Sequence, residues 1–290
     1  MKFKDLNSKF NYFKTCFFKK IKRANDYCPN CNSSDSTIIE RKFIITSLNR
    51  CSNCHLMYRT PTTSEKENNS FYQEEYSQGF TTDCPDEIEL KKLIDTNFKG
   101  TDRDYNTYIN VINALSNEKK LNIFDFGCSW GYGSFQISNA GHKVYSYEIS
   151  KPRALYAKDK LGINLIENIE NISNSSLDIF FSSHVLEHIP NLKIIDLAMT
   201  KIKQNGFFVA FTPNGCMEHK KINKNWNKLW GMVHSNFLDE NFYKFKFKKF
   251  KYLISSSPYN FKNIKKFSLS NQTLIENLEG DELLVVVKKL

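Results

Sequence analysis

From Leu121 onward, segments patterned as buried β-strands alternate with segments of helical periodicity. The predicted strands are short and rich in apolar residues, and they cover residues 122–126, 143–148, 164–166, 178–182 and 207–212. Strands that alternate with helices in this way are typical of a parallel sheet with crossover helices on both faces. We therefore predict an α/β fold with a doubly wound, seven-stranded, mostly parallel sheet.

Glycines are expected to end the helices between these strands. One helix should stop at Gly141, a second should begin after Ser150 and stop at Gly162, and a third should run from about Asn191 to Gly206. The last two strands are expected at residues 261–267 and 282–289, paired as an antiparallel hairpin.

A chain of 290 residues can hold one large domain and a small accessory unit. The α/β pattern fills the C-terminal two thirds, and its segment 216–260 is expected to form a lid over the substrate. The predicted units are a basic amphipathic helix at 1–24, a zinc ribbon at 25–61, a connector at 62–100 and the α/β domain at 101–290.

Four of the eight cysteines form two C-x-x-C pairs, Cys28 with Cys31 and Cys51 with Cys54. Each pair can occupy two corners of a tetrahedron around a zinc ion, with Zn–S bonds of about 2.3 Å. Four thiolates fill the coordination sphere of that ion. We therefore predict a structural Zn²⁺ and expect the neighbouring His55 to be a surface residue.

Residues 125–133 read Asp-Phe-Gly-Cys-Ser-Trp-Gly-Tyr-Gly, and they follow a predicted strand and open a helix. Glycines in such a turn let the backbone approach a ligand at the carboxyl ends of the strands. The spacing differs from the G-x-G-x-x-G of dinucleotide sites. Asp125 suits the α-ammonium of a methionine moiety, and Glu148 is placed to accept hydrogen bonds from two ribose hydroxyls. The alternative for either carboxylate alone is a solvated strand end.

Residues 121–215 resemble the class I S-adenosylmethionine (SAM)-dependent methyltransferases. The resemblance is carried by the glycine turn, the strand end at 147–150, the segment 182–190 and the turn at 206–208. With its cysteine pairs, the whole chain is similar to zinc-ribbon-bearing methyltransferases of bacterial sugar and surface-polysaccharide pathways. One departure is Ser129, which stands where the family's usual G-x-G-x-G has its middle glycine.

The resemblance implies SAM as the cofactor and assigns residues to each part of it. The residues implied at the methionine end are Asp125, Gly127, Ser129 and Gly131. Glu148 would hold the ribose, and Asn168 with Ile169 would flank the adenine. Further cofactor contacts are predicted for Cys128, Tyr132, Ile149 and Ser183.

Four residues are candidates for activating the methyl acceptor. An alcohol or carbon acid needs a base during the in-line displacement of a methyl group. His188 is the first choice as general base, with Glu187 orienting it, while His184 and the lid residue His234 are alternatives. Glu187 and His188 could instead cap a short helix. A third alternative, by similarity to the E-x-x-E-H segment of quinone-forming O-methyltransferases, is a divalent ion at His184, Glu187 and His188.

The predicted lid is rich in aromatic residues that suit stacking on a sugar or another ring. They are Trp226, Trp230, Phe237 and Tyr259. The alternative is that the Trp and Phe side chains belong to the core, and we expect this of most of them.

The formal net charge is +10, with lysines spread along the whole length. We therefore attribute most of the excess to solvated faces and expect nucleic acid only as a less favoured partner. The N-terminal helix has an apolar stripe formed by Phe3, Leu6, Phe10, Phe13, Phe17 and Ile21. It is expected either to contact an anionic membrane or a partner protein, or to pack on the chain's own domains. The expected location is the cytoplasm, with the inner membrane face as an option for this helix.

The leading functional hypothesis is O- or C-methylation of a small acceptor, either a nucleotide-linked sugar or a glycan intermediate. One alternative is an RNA base or ribose methyltransferase, which is disfavoured because the sequence has neither an N-P-P-Y motif nor a Pro-Cys dipeptide. Another alternative is a catalytically inactive scaffold at a membrane-associated assembly, inactive because of Ser129.

Overall fold

The computed structural model describes residues 3–22, 26–75 and 83–290, and it begins with helix α1 at Phe3–Ile21. The side chains of Phe3 and Leu6 lie outside the described part. Phe10, Phe17 and Ile21 are 69%, 49% and 60% exposed. These three members of the predicted stripe therefore face solvent and do not pack on the chain's own domains.

The segment with the cysteine pairs forms a small antiparallel sheet. Its strands are β1 at Ser36–Lys42, β2 at Thr46–Cys51 and β3 at Met57–Thr60. Both outer strands pair antiparallel with the central strand β2. A fourth strand comes from far along the chain, because Met57 and Tyr58 of β3 pair with Phe237 and Asn236.

The described residues of the predicted connector, 62–75 and 83–100, form three helical segments. They are α2 at Glu65–Ser70, a π-helix at Phe71–Glu75 and α3 at Glu87–Asp95. Helix α2 starts with a capping box, in which the Ser64 and Glu67 side chains each accept from the other's backbone N–H. Gln73 of the π-helix donates to the carbonyl of Ile149 at 2.6 Å. The connector therefore lies over the end of a strand in the α/β unit.

The α/β unit continues to the last described residue. In chain order its first elements are α4 at Asn106–Leu115, β4 at Asn122–Phe126, α5 at Tyr132–Asn139, β5 at Lys143–Tyr147, α6 at Lys151–Leu161, β6 at Leu177–Ser183 and α7 at Ile194–Lys201. The remaining elements are β7 at Ile202–Pro213, α8 at Met217–Ile222, β8 at Asn236–Phe237, α9 at Glu240–Lys246, β9 at Lys251–Ser256, α10 at Phe261–Leu269, β10 at Leu274–Ile275 and β11 at Glu282–Lys288.

The main sheet has seven strands in the order β10-β9-β11-β7-β6-β4-β5. Strands β5, β4, β6 and β7 are parallel, whereas β11 is antiparallel to both of its neighbours. The strand order reverses at β4, because its chain neighbour β5 lies on one side of it and β6 on the other. Sheets of this kind bind ligands beyond the carboxyl ends of the strands at such a point. The predicted fold class, a mostly parallel and doubly wound seven-stranded sheet, is confirmed.

Residues 261–267 form part of helix α10, so the prediction of a strand there is wrong. Ile264 and Phe267 are buried and three residues apart, with lysines between them, which is helical spacing. The Asn260 side chain accepts from the N–H of Asn263 and caps the helix. Strand β11 pairs instead with β7 and β9, so the predicted terminal hairpin does not form.

Two further boundaries differ from the prediction. Residues 164–166 contribute only one bridge, between Leu165 and Ser146, and no full strand. Helix α7 ends at Lys201, and β7 begins at once, so Gly206 does not stop a helix. A Cβ on Gly206 would lie 2.8 Å from the carbonyl oxygen of Asp178, which shows that this glycine allows a close approach of two strands.

The cysteine-rich sheet shares a core with the main sheet. Leu56 and Tyr58 beside the cysteines belong to the same buried cluster as Phe180 and Phe208 on one face of the main sheet. A second cluster covers the opposite face with residues of α4 and α10. Within the described residues, no helix has the length and apolarity needed to cross a membrane.

Candidate cofactor cleft, acceptor site and zinc centre

The glycine turn lies at the carboxyl end of β4, as the sequence predicts. Gly127 and Gly131 have φ of 87° and 90°, values that favour glycine. A Cβ on Gly127 would lie 2.3 Å from a methyl carbon of Val185, and so the turn packs directly against the segment after β6. The N–H groups of Gly127 and Cys128 both donate to the carbonyl of Tyr147, which joins the turn to β5.

Glu148 connects the turn to the end of β5. Its two carboxylate oxygens accept hydrogen bonds from the N–H groups of Ser129 and Ser150, each at 2.8 Å. Burial raises the pKa of Glu148, while these two amides and the charge of Arg153 oppose the shift. The carboxylate is thus fixed at the crevice between β4 and β5, where the predicted ribose contact requires it.

Asp125 is buried at the end of β4, beneath the turn. Its carboxylate accepts a 2.5 Å hydrogen bond from Ser134, which in turn accepts one from Ser146 at 2.9 Å. Burial raises the pKa of Asp125 to about 7, although the Ser134 hydrogen bond acts in the opposite direction. The group can therefore change its charge near neutral pH.

The other predicted cofactor residues lie at the same edge of the sheet but differ in exposure. Cys128 and Ile169 are buried, so their side chains belong to the core and only their backbones can face a ligand. Tyr132, Ile149 and Ser183 are half-buried, and Asn168 is exposed and caps the short 3-10 helix Ile169–Asn171. Contact of these residues with SAM stays a prediction.

His184 lies between two carboxylates. Its Nε2 is 2.6 Å from Glu282 Oε1, and its Nδ1 is 3.3 Å from Glu187 Oε1. Although desolvation favours the neutral ring, the two carboxylates raise the pKa of His184 to about 10. The two carboxylates thus favour the charged ring, which has no free lone pair to accept a proton, and the role of His184 as the second-choice base stays a prediction.

His188 lies beside a cavity of about 220 Å³. Its Nδ1 is 3.2 Å from the carbonyl oxygen of Val233, and its ring centroid is 4.7 Å from that of His234. Burial lowers the pKa of His188 to about 4, against the opposing charge of Glu187. The ring is neutral at physiological pH, which is what the predicted general base requires, and its role stays a prediction.

Two residues at this edge, Glu282 and Tyr108, were not predicted from the sequence as site residues. Glu282 accepts hydrogen bonds from the hydroxyls of Tyr108 and Tyr259, at 2.6 and 2.5 Å, in addition to its contact with His184. Because β11 is antiparallel, its first residue lies at the carboxyl ends of the parallel strands. A single acidic residue at the start of an otherwise apolar strand, Glu-Leu-Leu-Val-Val-Val, is the signal that could have identified Glu282.

Residues 124–210 match a family model described as a methyltransferase domain. The matched segment begins in β4 and ends in β7, and it includes the glycine turn, Glu148, Glu187 and His188. The chain carries a methyltransferase domain. The predicted class of enzyme is confirmed at the level of this domain.

A curated relative, the malonyl-acyl-carrier protein O-methyltransferase of Hamiltonella defensa, is 25% identical over 122 residues, or 41% of the chain. The match spans about half of the relative's length, 47%. Solved structures similar to the methyltransferase domain include a SAM-dependent methyltransferase from Archaeoglobus fulgidus, with 16% identity, TM-score 0.47 and coverage of 70% of this chain and 100% of that one. Another is the plantazolicin methyltransferase BpumL in complex with S-adenosylhomocysteine (SAH). It has 14% identity and a TM-score of 0.48, with coverage of 77% of this chain and 94% of that one.

The four cysteines of the C-x-x-C pairs come together beside the methyltransferase domain, with their sulfur atoms within 4.8 Å of one another. The Sγ atoms of Cys28 and Cys54 are 3.4 Å apart, and those of Cys31 and Cys51 are 3.5 Å apart. Tetrahedral zinc with Zn–S bonds of about 2.3 Å needs sulfur separations of about 3.8 Å. The arrangement therefore fits the predicted zinc site, and His55 is exposed, as expected.

The predicted lid connects the cysteine-rich sheet to the methyltransferase domain. Trp226, Trp230 and Phe237 are 1%, 2% and 1% exposed and pack against Leu48 and Met57 of the small sheet. Their predicted stacking on an acceptor is therefore wrong, and the alternative of a core role is confirmed. Tyr259 lies instead beside Glu282, and His234 is the lid residue that reaches His188.

Proposed function

We propose that the protein transfers the methyl group of SAM to a small acceptor bound beside His188. The observation that carries the proposal is the crevice between β4 and β5, within the segment that matches the methyltransferase domain. There a glycine turn with positive φ angles adjoins a carboxylate held by two amides. This arrangement suits an adenosyl group with an amino-acid tail.

The acceptor would occupy the cavity of about 220 Å³. At about 30 Å³ for each water molecule, this space equals roughly seven waters, enough for one sugar-sized ring. Its walls come from α1, from β3, from the connector and from the lid, and they include Tyr12, Arg59, Tyr72 and Met232. Aromatic faces together with hydroxyl and cationic groups are typical of sugar recognition. A nucleotide-linked sugar or a glycan intermediate, methylated at oxygen or carbon, is therefore our proposed acceptor.

A tritiated-methyl transfer assay against nucleotide sugars, lipid-linked glycans and total RNA tests this proposal. We expect label in the sugar or glycan fraction and a loss of at least about tenfold in Glu148→Gln, because a charged hydrogen-bond acceptor contributes about 1.5 to 3 kcal/mol. Glu118→Gln, an exposed glutamate before β4, is the matched control and should keep full activity. Transfer to RNA alone, or to none of the three pools, would contradict the proposed acceptor.

We also propose that α1 contacts an anionic membrane surface. Its inward face is fixed to the protein, since Cys16 is buried and Lys19 forms a 2.6 Å ion pair with Glu67. Its outward face presents Phe10, Phe17, Phe18 and Ile21, and the tip of the β1–β2 hairpin adds Phe43 and Ile44, which are 74% and 85% exposed. Lys14 and Lys20 are exposed on the same helix, and Lys22 is exposed just after its end. Exposed aromatic residues among lysines suit an interface with anionic headgroups.

Flotation with vesicles of neutral or partly anionic lipid tests the membrane contact. We expect binding that needs anionic lipid and weakens with salt. Phe17→Ser combined with Phe43→Ser should remove most of the binding, whereas Leu269→Ser, at a residue 71% exposed elsewhere on the surface, should not. Equal flotation of both variants, or none of the wild type, would contradict this contact.

A further inference from the structure

A second group of metal-ligating side chains lies at the edge of the acceptor cavity. Glu187, His188 and His234 each offer one ligand atom, and the three atoms lie within 4.8 Å of one another. His188 Nε2 is 3.8 Å from Glu187 Oε1. Two imidazoles and one carboxylate are a common ligand set for divalent transition metals.

The hydrogen bonds of the two rings determine which nitrogen is free. His188 Nδ1 lies 3.2 Å from the carbonyl oxygen of Val233, and His234 Nδ1 lies 2.7 Å from that of Leu229. A carbonyl oxygen only accepts, so each Nδ1 must carry a proton, and in the neutral ring each Nε2 then has a free lone pair. Metal-bound histidines are typically oriented by such a backbone contact at the other nitrogen.

Glu187 supplies a buried carboxylate that has an ion-pair partner but no aligned hydrogen bond. Its side chain is 1% exposed, and neither oxygen accepts a hydrogen bond from a described residue. The Nδ1 of His184 is near Oε1, at 3.3 Å, but without the alignment of a hydrogen bond. Buried carboxylates are nearly always paired by donors or by a metal ion. Glu187 has the charged His184 on one side, and it lies within 4.8 Å of a ligand atom of His188 and of His234.

His184 is excluded from this ligand set by its own contacts. Its Nε2 lies 2.6 Å from Glu282 Oε1, while its Nδ1 faces Glu187. With a carboxylate at each nitrogen, both nitrogens carry protons and neither offers a lone pair. The third ligand is therefore His234 from the lid, which is distant in sequence.

The loop that carries His234 is fixed to the segment that carries Glu187. The side-chain amide of Asn236 donates to the carbonyls of Leu186 and Ile189, at 3.0 and 2.7 Å, and its N–H donates to that of Glu187 at 3.0 Å. The three candidate ligands are thus held in place by the fold itself. Such preorganisation is what a metal site with few protein ligands needs.

We propose that Glu187, His188 and His234 bind a divalent cation such as Mn²⁺, Fe²⁺ or Co²⁺, with open coordination positions toward the acceptor cavity. The inference deepens the proposed function and rests on it for its purpose, because a cation there would lower the pKa of an acceptor hydroxyl. His188 then acts as a ligand, and the prediction of a free general base would be wrong.

Titration of zinc-replete protein with Mn²⁺, followed by the electron paramagnetic resonance signal of free Mn²⁺, tests the site. Thiolates prefer zinc, so the cysteine site should not take up Mn²⁺. We expect one bound Mn²⁺ per chain in the wild type and in His142→Gln, a control histidine near the opposite end of β4. His188→Gln and His234→Gln should each weaken binding at least about tenfold, with their folding checked by circular dichroism.

His184→Gln distinguishes the two candidate ligand sets and should retain Mn²⁺ binding. No uptake by the wild type, equal uptake by His234→Gln, or loss in His184→Gln with retention in His234→Gln would overturn the inference. Failure of the proposed function is visible separately, as absence of binding of SAH. Protein that binds SAH and methylates its acceptor at full rate without any divalent ion beyond the zinc would retain the function and overturn the role of the cation in activating the acceptor.

Discussion

At the scale of single residues, the glycine turn contains one side chain in a backbone conformation that favours glycine. Ser129 has φ of 52°, and its buried hydroxyl has no hydrogen-bond partner among the described residues. Its N–H nevertheless holds Glu148 at 2.8 Å, as a glycine there would. The serine therefore preserves the shape of the turn at a cost in stability.

Ser129→Gly should stabilise the free protein by about 1 to 2 kcal/mol, because it relieves the left-handed conformation and removes an unpaired hydroxyl. The measurement is denaturant unfolding. Ser175→Gly is the matched control, since Ser175 also has φ of 52° but is exposed, and it should gain less. An equal gain in the two variants, or a loss in Ser129→Gly, would contradict this explanation.

Asp125 predicts a pH dependence of cofactor binding. The pKa of Asp125 is raised to about 7 in the free protein, and a bound ammonium group would lower it. Below pH 7 the cofactor must therefore displace a proton, and SAH affinity should fall as the pH falls, by up to about tenfold per pH unit. Calorimetry between pH 5.5 and 7 measures this, and in Asp125→Asn the dependence should disappear. A pH-independent affinity in the wild type would argue against an ammonium contact.

The sequence predicted which residues lie together where their placement depends on local spacing. Glu148 and the glycine turn are adjacent in the fold because consecutive parallel strands end at the same edge. The contacts of His184 were not predictable, since Glu282 is 98 residues away in the chain. Whether a histidine is charged depends on such distant partners, and periodicity contains no information about them.

At the scale of elements, the cysteine-rich sheet supports the lid. Strand β3 pairs with β8, and Arg50 of β2 forms a 2.8 Å ion pair with the buried carboxylate of Asp239. The lid tryptophans pack on the same sheet. A zinc ion bound by the four cysteines would therefore hold the loop of His234 in place. It would do so from a distance, because these four cysteines do not line the acceptor cavity.

Loss of zinc should accordingly weaken both stability and activity. Cys51→Ser should abolish the bound zinc, lower the free energy of unfolding by several kcal/mol and shift tryptophan emission to longer wavelength, because Trp226 and Trp230 become exposed. Metal analysis and fluorescence measure these changes. Cys84→Ser, at an exposed cysteine, is the control and should behave as wild type. A zinc-free Cys51→Ser protein with unchanged emission and stability would refute the supporting role.

The sequence predicts helices and strands correctly where the spacing of apolar residues is unambiguous, as in the elements from β4 to α6. The prediction of a strand at α10 fails because its Phe and Ile residues have high β propensity, although their spacing of three is helical. The predicted end of α7 is too late because a glycine after a helical segment is typical of a helix stop. In the structure Gly206 allows β6 and β7 to approach closely. This contact joins segments that are separate in sequence, so the local sequence does not show it.

At the scale of the whole molecule, the acceptor cavity is assembled from four parts of the chain. Helix α1, strand β3, the connector and the lid each contribute walls around His188. The sequence predicted most of these parts as separate units, but it could not predict that they meet, because their contacts join residues far apart in the chain, such as Cys16 with Arg59 and Tyr58 with Asn236. No single motif therefore determines which acceptor binds, because residues from all four parts line the cavity.

Calorimetric titration of zinc-replete protein with SAH tests the central claim, that the crevice between β4 and β5 binds an adenosyl cofactor. The account predicts one site per chain, affinity at least about tenfold weaker in Glu148→Gln, and unchanged affinity in Glu118→Gln. The absence of binding, or binding that does not depend on Glu148, would contradict it.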